Sequence, residues 1–149
     1  MVFVGLLTFF TATFWHTLEA NSAWAATRWT GSEGAAEVLT VVGADVAQAT
    51  SVTVGTGSLT CQWTTASGTV DTVTYQESQG VLLRTVTTTP AGGTPTTRTR
   101  PVTTGLASAG FQVSQPSAAL VTVHLTWQTG STTFASASTF AIRTNAPAP

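Results

Sequence analysis

The spacing of apolar positions changes once along this chain. From Met1 to Trp15 nearly every position is apolar or small, as "MVFVGLLTFFTATFW". From Ala20 to Ala49 there is no proline, and only Gly31, Gly34 and Gly43 interrupt. Ala35, Leu39, Val42, Val46 and Ala49 recur at steps of three or four, one face of an amphipathic helix, with Glu33, Glu37 and Gln48 off that stripe. Gly31-Ser32 is a candidate break or bend. After Thr50 the period falls to two. Val52-Val54, Leu59-Cys61-Trp63, Val70-Val73-Tyr75, Val81-Leu83-Thr85, Val121-Val123-Leu125-Trp127 and Phe134-Ala141-Ile142 are strand-like runs between turn signals.

The turns fall at Gly55-Thr56-Gly57, Ser67-Gly68, Ser78-Gln79-Gly80 and Gly130-Ser131. "LVTVHLTW" alternates cleanly, with Val121, Val123, Leu125 and Trp127 on its apolar face. Thr87 to Pro101 reads as a Pro/Gly/Thr loop, too poor in apolar residues to pack. Leu106, Phe111 and Val113 return as a short turn and strand. The order predicts an α+β fold: a long N-terminal helix, apolar in its first half and amphipathic in its second, laid on one antiparallel sheet. Residues 1–26 form the apolar half-helix, and 27–149 the head, made of half-helix 27–50 and sheet 51–145.

Composition narrows the function classes. Charged residues are 7% of the 149, against about 25% in an average soluble domain. Lysine is absent, all five basic residues are arginine, and net charge is -1. Such a chain has no basic field to attract nucleic acid, and no nucleic-acid partner is expected. The lone cysteine, Cys61, excludes an internal disulfide. Polarity comes from Thr, Ser and Gln, as in exported β-proteins.

The first segment admits three readings. A bilayer-spanning helix needs about 20 apolar residues to cross about 30 Å. Met1 to Trp15 supplies about 22 Å at 1.5 Å per residue. One reading is a signal peptide cleaved near Ala25, in the small-residue pattern Ala23-Trp24-Ala25. Against it stand the uncharged start and the bulky or polar Phe14, Trp15, His16 and Glu19. The others are a buried core helix and the C-terminal part of a longer membrane helix. Leu6, Leu7, Phe9, Phe10, Phe14 and Trp15 would then be the membrane and assembly surface.

Five stretches together resemble the type IV pilin-like family, and within it the minor pilins and type II secretion pseudopilins. "EVLTVVGADVAQAT" resembles the family's amphipathic half-helix, with an aspartate, Asp45, and then a small residue, Ala49. "VDTVTYQESQGVLLRTV" resembles its hairpin, with Val73, Tyr75, Leu83 and Arg84 holding the Val-x-Tyr and Leu-Arg places. "LASAGFQV" with "LVTVHLTW" resembles its later segments, and "FAIRTNAPAP" its last strand. The family's leader ending in glycine and its glutamate-bearing mature start have no match; the expectation is that Met1 falls inside the membrane half of the helix. The resemblance implies a non-catalytic filament subunit, anchored in the inner membrane with its head periplasmic or extracellular, and on a cell-surface filament once assembled. It implies as partners other pilin or pseudopilin subunits, an inner-membrane assembly platform, a prepilin peptidase acting on the precursor, and membrane lipid before assembly. No cofactor is implied. The alternative is a secreted β-sandwich binding or adhesion module, cut near Ala25.

Single residues carry a bland and a sharp reading. Asp45 reads first as an exposed helix carboxylate, and otherwise as a cap or a partner of Arg84 or Arg28. Leu39, Val42 and Val46 are read as helix–sheet packing. Val73, Tyr75, Leu83 and Arg84 are read as hairpin structure, Trp63 and Trp127 as sheet residues, and Cys61 as a small buried hydrophobe. Arg98 and Arg100 read as solvated, with a loop contact as the sharper option. No His pair stands at ligand spacing, and there is no Gly-x-Ser-x-Gly or glycine-rich phosphate loop. Asp71 and Glu77 flank a turn, weak support for acid–base work. The expectation is therefore no enzyme, no catalytic group and no metal.

Overall fold

The computed structural model describes residues 34–143. They begin with helix α1, residues 34–48, and continue through eight strands. These are β1 (Ser51–Gly55), β2 (Ser58–Thr64), β3 (Val70–Ser78), β4 (Val81–Thr89), β5 (Thr96–Thr103), β6 (Leu106–Ser117), β7 (Leu120–Thr129) and β8 (Thr132–Ala141). The first five form one antiparallel meander in the order β1-β2-β3-β4-β5, and the last three a second sheet in the order β6-β7-β8.

The strands follow from the period-two pattern, which puts alternate residues on opposite faces. Register aligns Leu59 with Tyr75 and Cys61 with Val73, so all four share the inner face of the first sheet. Val121, Val123, Leu125 and Trp127 form the inner face of β7. These two faces, the stripe Ala35, Val38, Val42 and Val46 of α1, and Ala49 just past its end make a single core. Tight contact sets the helix position on the second sheet as well. A Cβ at Gly43 would lie 2.6 Å from the Phe140 ring of β8, so any other residue there would force the ring to shift. The chain then enters the first sheet at once, with the Thr50 N–H donating to the Gln62 carbonyl at 2.8 Å.

The α+β expectation of one long helix on one sheet is overturned. Among the described residues the fold is mostly β, 64% strand in two antiparallel sheets, with a single helix of about 15 residues. Two physical causes stand out. Thr87 to Pro101, expected as a loop, instead ends β4 and supplies most of β5, leaving only Pro90–Pro95 as connection. Threonine hydroxyls replace apolar packing there: Thr85 and Thr99 meet at 2.9 Å, and Thr87 and Thr97 at 3.1 Å. Beyond Thr103 the chain does not extend the meander. The Leu106 N–H donates to the Gly80 carbonyl, at the end of the β3–β4 hairpin, and β6 starts a new sheet. Residues before Gly34, including Leu6, Leu7, Phe9, Phe10, Phe14 and Trp15, lie outside the described residues. Among the described residues, no helix is long and apolar enough to cross a membrane.

Candidate functional site

The chemistry of this molecule gathers where α1 crosses β3 and β4. Helical spacing puts Asp45 beside Val42, Val46 and Ala49 on the buried stripe, and Asp45 is only 6% exposed. A carboxylate out of water is costly unless donors surround it. The β3–β4 hairpin supplies them. Its turn residues Gln79 and Gly80 both have positive φ, 52° and 75°, the type I′ geometry that matches strand twist. That two-residue turn pairs Ser78 with Val81 and therefore sets Tyr75 directly opposite Arg84.

Asp45 takes three donors from this pair. Arg84 Nε donates to Oδ2 at 2.8 Å and Nη2 to Oδ1 at 2.9 Å, a bidentate fork. The Tyr75 hydroxyl donates to the same Oδ2. Arg84 Nε also donates to the Tyr75 hydroxyl oxygen at 3.2 Å. Among the described residues no buried side-chain nitrogen or oxygen lacks a partner.

Electrostatics fixes the protonation of this cluster. The hydrogen bond to Asp45 holds the Arg84 guanidinium above its ordinary range, against the opposing effect of burial. Burial, and then the hydrogen bond to Asp45, push the Tyr75 phenol up. Cys61, alongside, is pushed up to about 12, by burial first and Asp45 second. The thiol stays protonated at neutral pH and is a poor nucleophile. Charged arginine, neutral phenol and neutral thiol around a saturated carboxylate make a lock between helix and sheet.

The other acidic groups of β3 also serve the fold. Asp71 accepts from Thr88 Oγ1 at 2.6 Å, directly across the hairpin. Glu77 accepts the Phe111 N–H at 3.0 Å and so ties the first sheet to β6. Arg98 and Arg100 stand exposed on β5, not on a loop, with Arg100 opposite Arg84. With Arg84, Val86, Thr88 and Thr96 they line a shallow groove of about 850 Å³. His124 is exposed, and no group of three His, Cys, Asp or Glu among the described residues could hold a metal.

The sequence-derived residues fall as follows. Val42 and Val46 are buried, while Leu39 is half-buried and Val38 takes the inward place. Val73 and Tyr75 are buried, and Leu83 sits half-buried beside Arg84 on the other face of β4. Trp63 is half-buried, and Trp127 is buried with Nε1 donating to Thr103 Oγ1 at 3.4 Å. Asp45 is not the exposed helix carboxylate of the bland reading. Sequence reasoning named Asp71 and Glu77 only as weak acid–base candidates and missed the Asp71–Thr88 pair and the bond from Phe111 N–H to Glu77. A signal for the pair existed, because a turn centred on Gln79-Gly80 sets Asp71 opposite Thr88 as surely as Tyr75 opposite Arg84. No protein-family model, curated protein or solved structure matches the chain.

Proposed function

We propose that the chain is a non-catalytic structural subunit, of the minor pilin or pseudopilin kind, of a type IV pilus or type II secretion-like filament. The observation that carries this reading is the lock itself. Asp45, Tyr75 and Arg84, three of the residues that carry the family resemblance, are the ones that tie α1 to the hairpin. A bidentate ion pair between the buried Asp45 and the half-buried Arg84 resists sliding and rotation of a helix on a sheet, because any shift leaves the buried carboxylate without its donors. A subunit assembled through its N-terminal segment needs that coupling, since displacement of the segment must carry the head along. The apolar residues Leu6, Leu7, Phe9, Phe10, Phe14 and Trp15 anchor the subunit in the inner membrane before assembly. They then exchange lipid contact for contact with neighbouring subunits. Other pilins, the assembly platform and a prepilin peptidase acting on the precursor are its partners.

Fractionation of native cells with N-terminal sequencing tests this. The expected result is protein in the membrane fraction and in sheared surface filaments, with Phe9, Phe10 and Trp15 retained. Freely released protein with a mature start at Ala26 overturns it. That outcome promotes a secreted binding module, which two antiparallel sheets around one core also suit.

A further inference from the structure

The four sheet edges differ in how they meet solvent. β1 is five residues long. β5 carries Arg98, Arg100 and Pro101. β6 is irregular between Leu106 and Phe111, has Ala109 at φ 55° and contains Pro116. Short length, charge, proline and bulges each discourage a further strand from pairing. β8, "TTFASASTFA", is ten residues long with no charge, proline, glycine or register shift.

Its outward groups can be named. Thr129 pairs with Thr132 across the Gly130-Ser131 turn, and at the far end the Ile142 N–H donates to the Ala119 carbonyl at 2.8 Å. Bonded and non-bonded residues alternate along an antiparallel pair. Even-numbered residues of β8 therefore bond to β7. The N–H and C=O of Thr133, Ala135, Ala137, Thr139 and Ala141 face outward, and among the described residues no strand takes them.

We propose that this edge docks a second copy of the chain, β8 antiparallel to β8, about a two-fold axis at Ala137. The strand itself selects that occupant. Phe134-Ala-Ser-Ala-Ser-Thr-Phe140 reads almost alike in both directions. Pairing at Ala137 sets Phe134 against Phe140 of the second copy, Ser136 against Ser138, and Ala135 against Thr139. A two-fold contact sets residue i against j and j against i, and here each such pair matches in size and polarity or nearly so. With no charge on β8, no like charges meet. The outward groups of the five odd-numbered residues all find partners, and the two three-stranded sheets become one of six strands. The half-buried Phe134, Ser136, Ser138 and Phe140 lie on the core-facing side, which the partner strand would continue. The contact uses the head alone and does not depend on the filament reading.

Disulfide trapping on the full chain in detergent tests the register. Ser136→Cys and Ser138→Cys variants are oxidised under air with copper–phenanthroline, separately and mixed; Cys61 is buried and does not compete. Residues 136 and 138 of opposite copies form a non-bonded pair with Cα atoms about 4.5 Å apart, within disulfide reach. Two copies of 136 lie on a diagonal of about 7–8 Å, beyond it. The expected result is several-fold more covalent dimer from the mixture than from either variant alone. Adding Ala137→Lys to both chains should remove that excess, by opposing two ammonium groups at the axis, while the melting temperature holds. A mixture no better than the single variants, or an excess that survives Ala137→Lys, overturns the proposal.

Discussion

The first sheet meets α1 through charge as well as aliphatic contact, whereas the second meets it through the ring of Phe140 against Gly43. The inner face of the first carries Tyr75, Arg84, Asp71 and Glu77 among its apolar residues, all engaged. That of β7 is Val121, Val123, Leu125 and Trp127. Aliphatic packing accepts small shifts at low cost, because dispersion has no strong direction. A bidentate ion pair does not accept them. The first sheet thus adds a directional hold on the helix to the close packing that both sheets supply. Net stability argues the same way, since a buried ion pair is often no better than apolar residues of equal volume but is expensive to break.

The sharpest way to break the arrangement is Val42→Asp, which places a charge with no donor in the shared core. It should abolish cooperative unfolding by circular dichroism, as burial of an unpaired carboxylate exceeds the whole stability of many domains. Leu39→Asp should cost much less, because Leu39 is half-buried. In the second sheet, Leu125→Ala should lose about 2–5 kcal/mol in chemical denaturation. Its loss should not depend on pH, as no ionisable group is removed.

Alkaline titration separates the sheets further. Cys61 and Tyr75 have folded-state pKa values raised above their unfolded ones. The contribution of Cys61 is complete below pH 9, the ordinary thiol value, and is lost as pH rises through about 12, while that of Tyr75 begins to fall above pH 10, the ordinary phenol value. Stability should fall across that window, and Cys61→Val should make the fall shallower by removing one of the two titrating groups. Equal slopes in both proteins would refute the assignment. The smallest effect is expected at the groove. Arg98→Ala and Arg100→Ala, both exposed, should each change stability by no more than about 0.5 kcal/mol.

Much of this was legible along the chain, and the gaps have causes. β7 was plain because alternation of Val121 to Trp127 is unbroken. The buried stripe of α1 was plain except at one place: Val38 and Leu39 both fit three-four spacing from Ala35 and Val42, and only packing picks Val38. The second sheet was not legible. Its separation depends on a backbone bond from Leu106 to Gly80 and on an irregular β6, neither of which changes the hydrophobic pattern. β5 was hidden because threonine pairs leave no apolar signature. Asp45 was undecided because burial of a carboxylate depends on a partner 39 residues away. Tyr75 and Arg84 could have been aligned from the Gln79-Gly80 turn, but the helix crossing above them could not.

A double-mutant cycle between Asp45 and Arg84, with Asp45→Asn and Arg84→Met alone and together, tests the central claim that this pair locks the helix to the first sheet. Arg84→Met leaves the buried Asp45 carboxylate without its fork and should destabilise strongly, and Asp45→Asn, which leaves the half-buried guanidinium without a counter-charge, should destabilise less. The double variant should be far less damaging than the sum, with a coupling of about 1.5–3 kcal/mol. A coupling below about 0.5 kcal/mol, the range seen for independent sites, would contradict the lock and with it the account of how the head is tied to its helix.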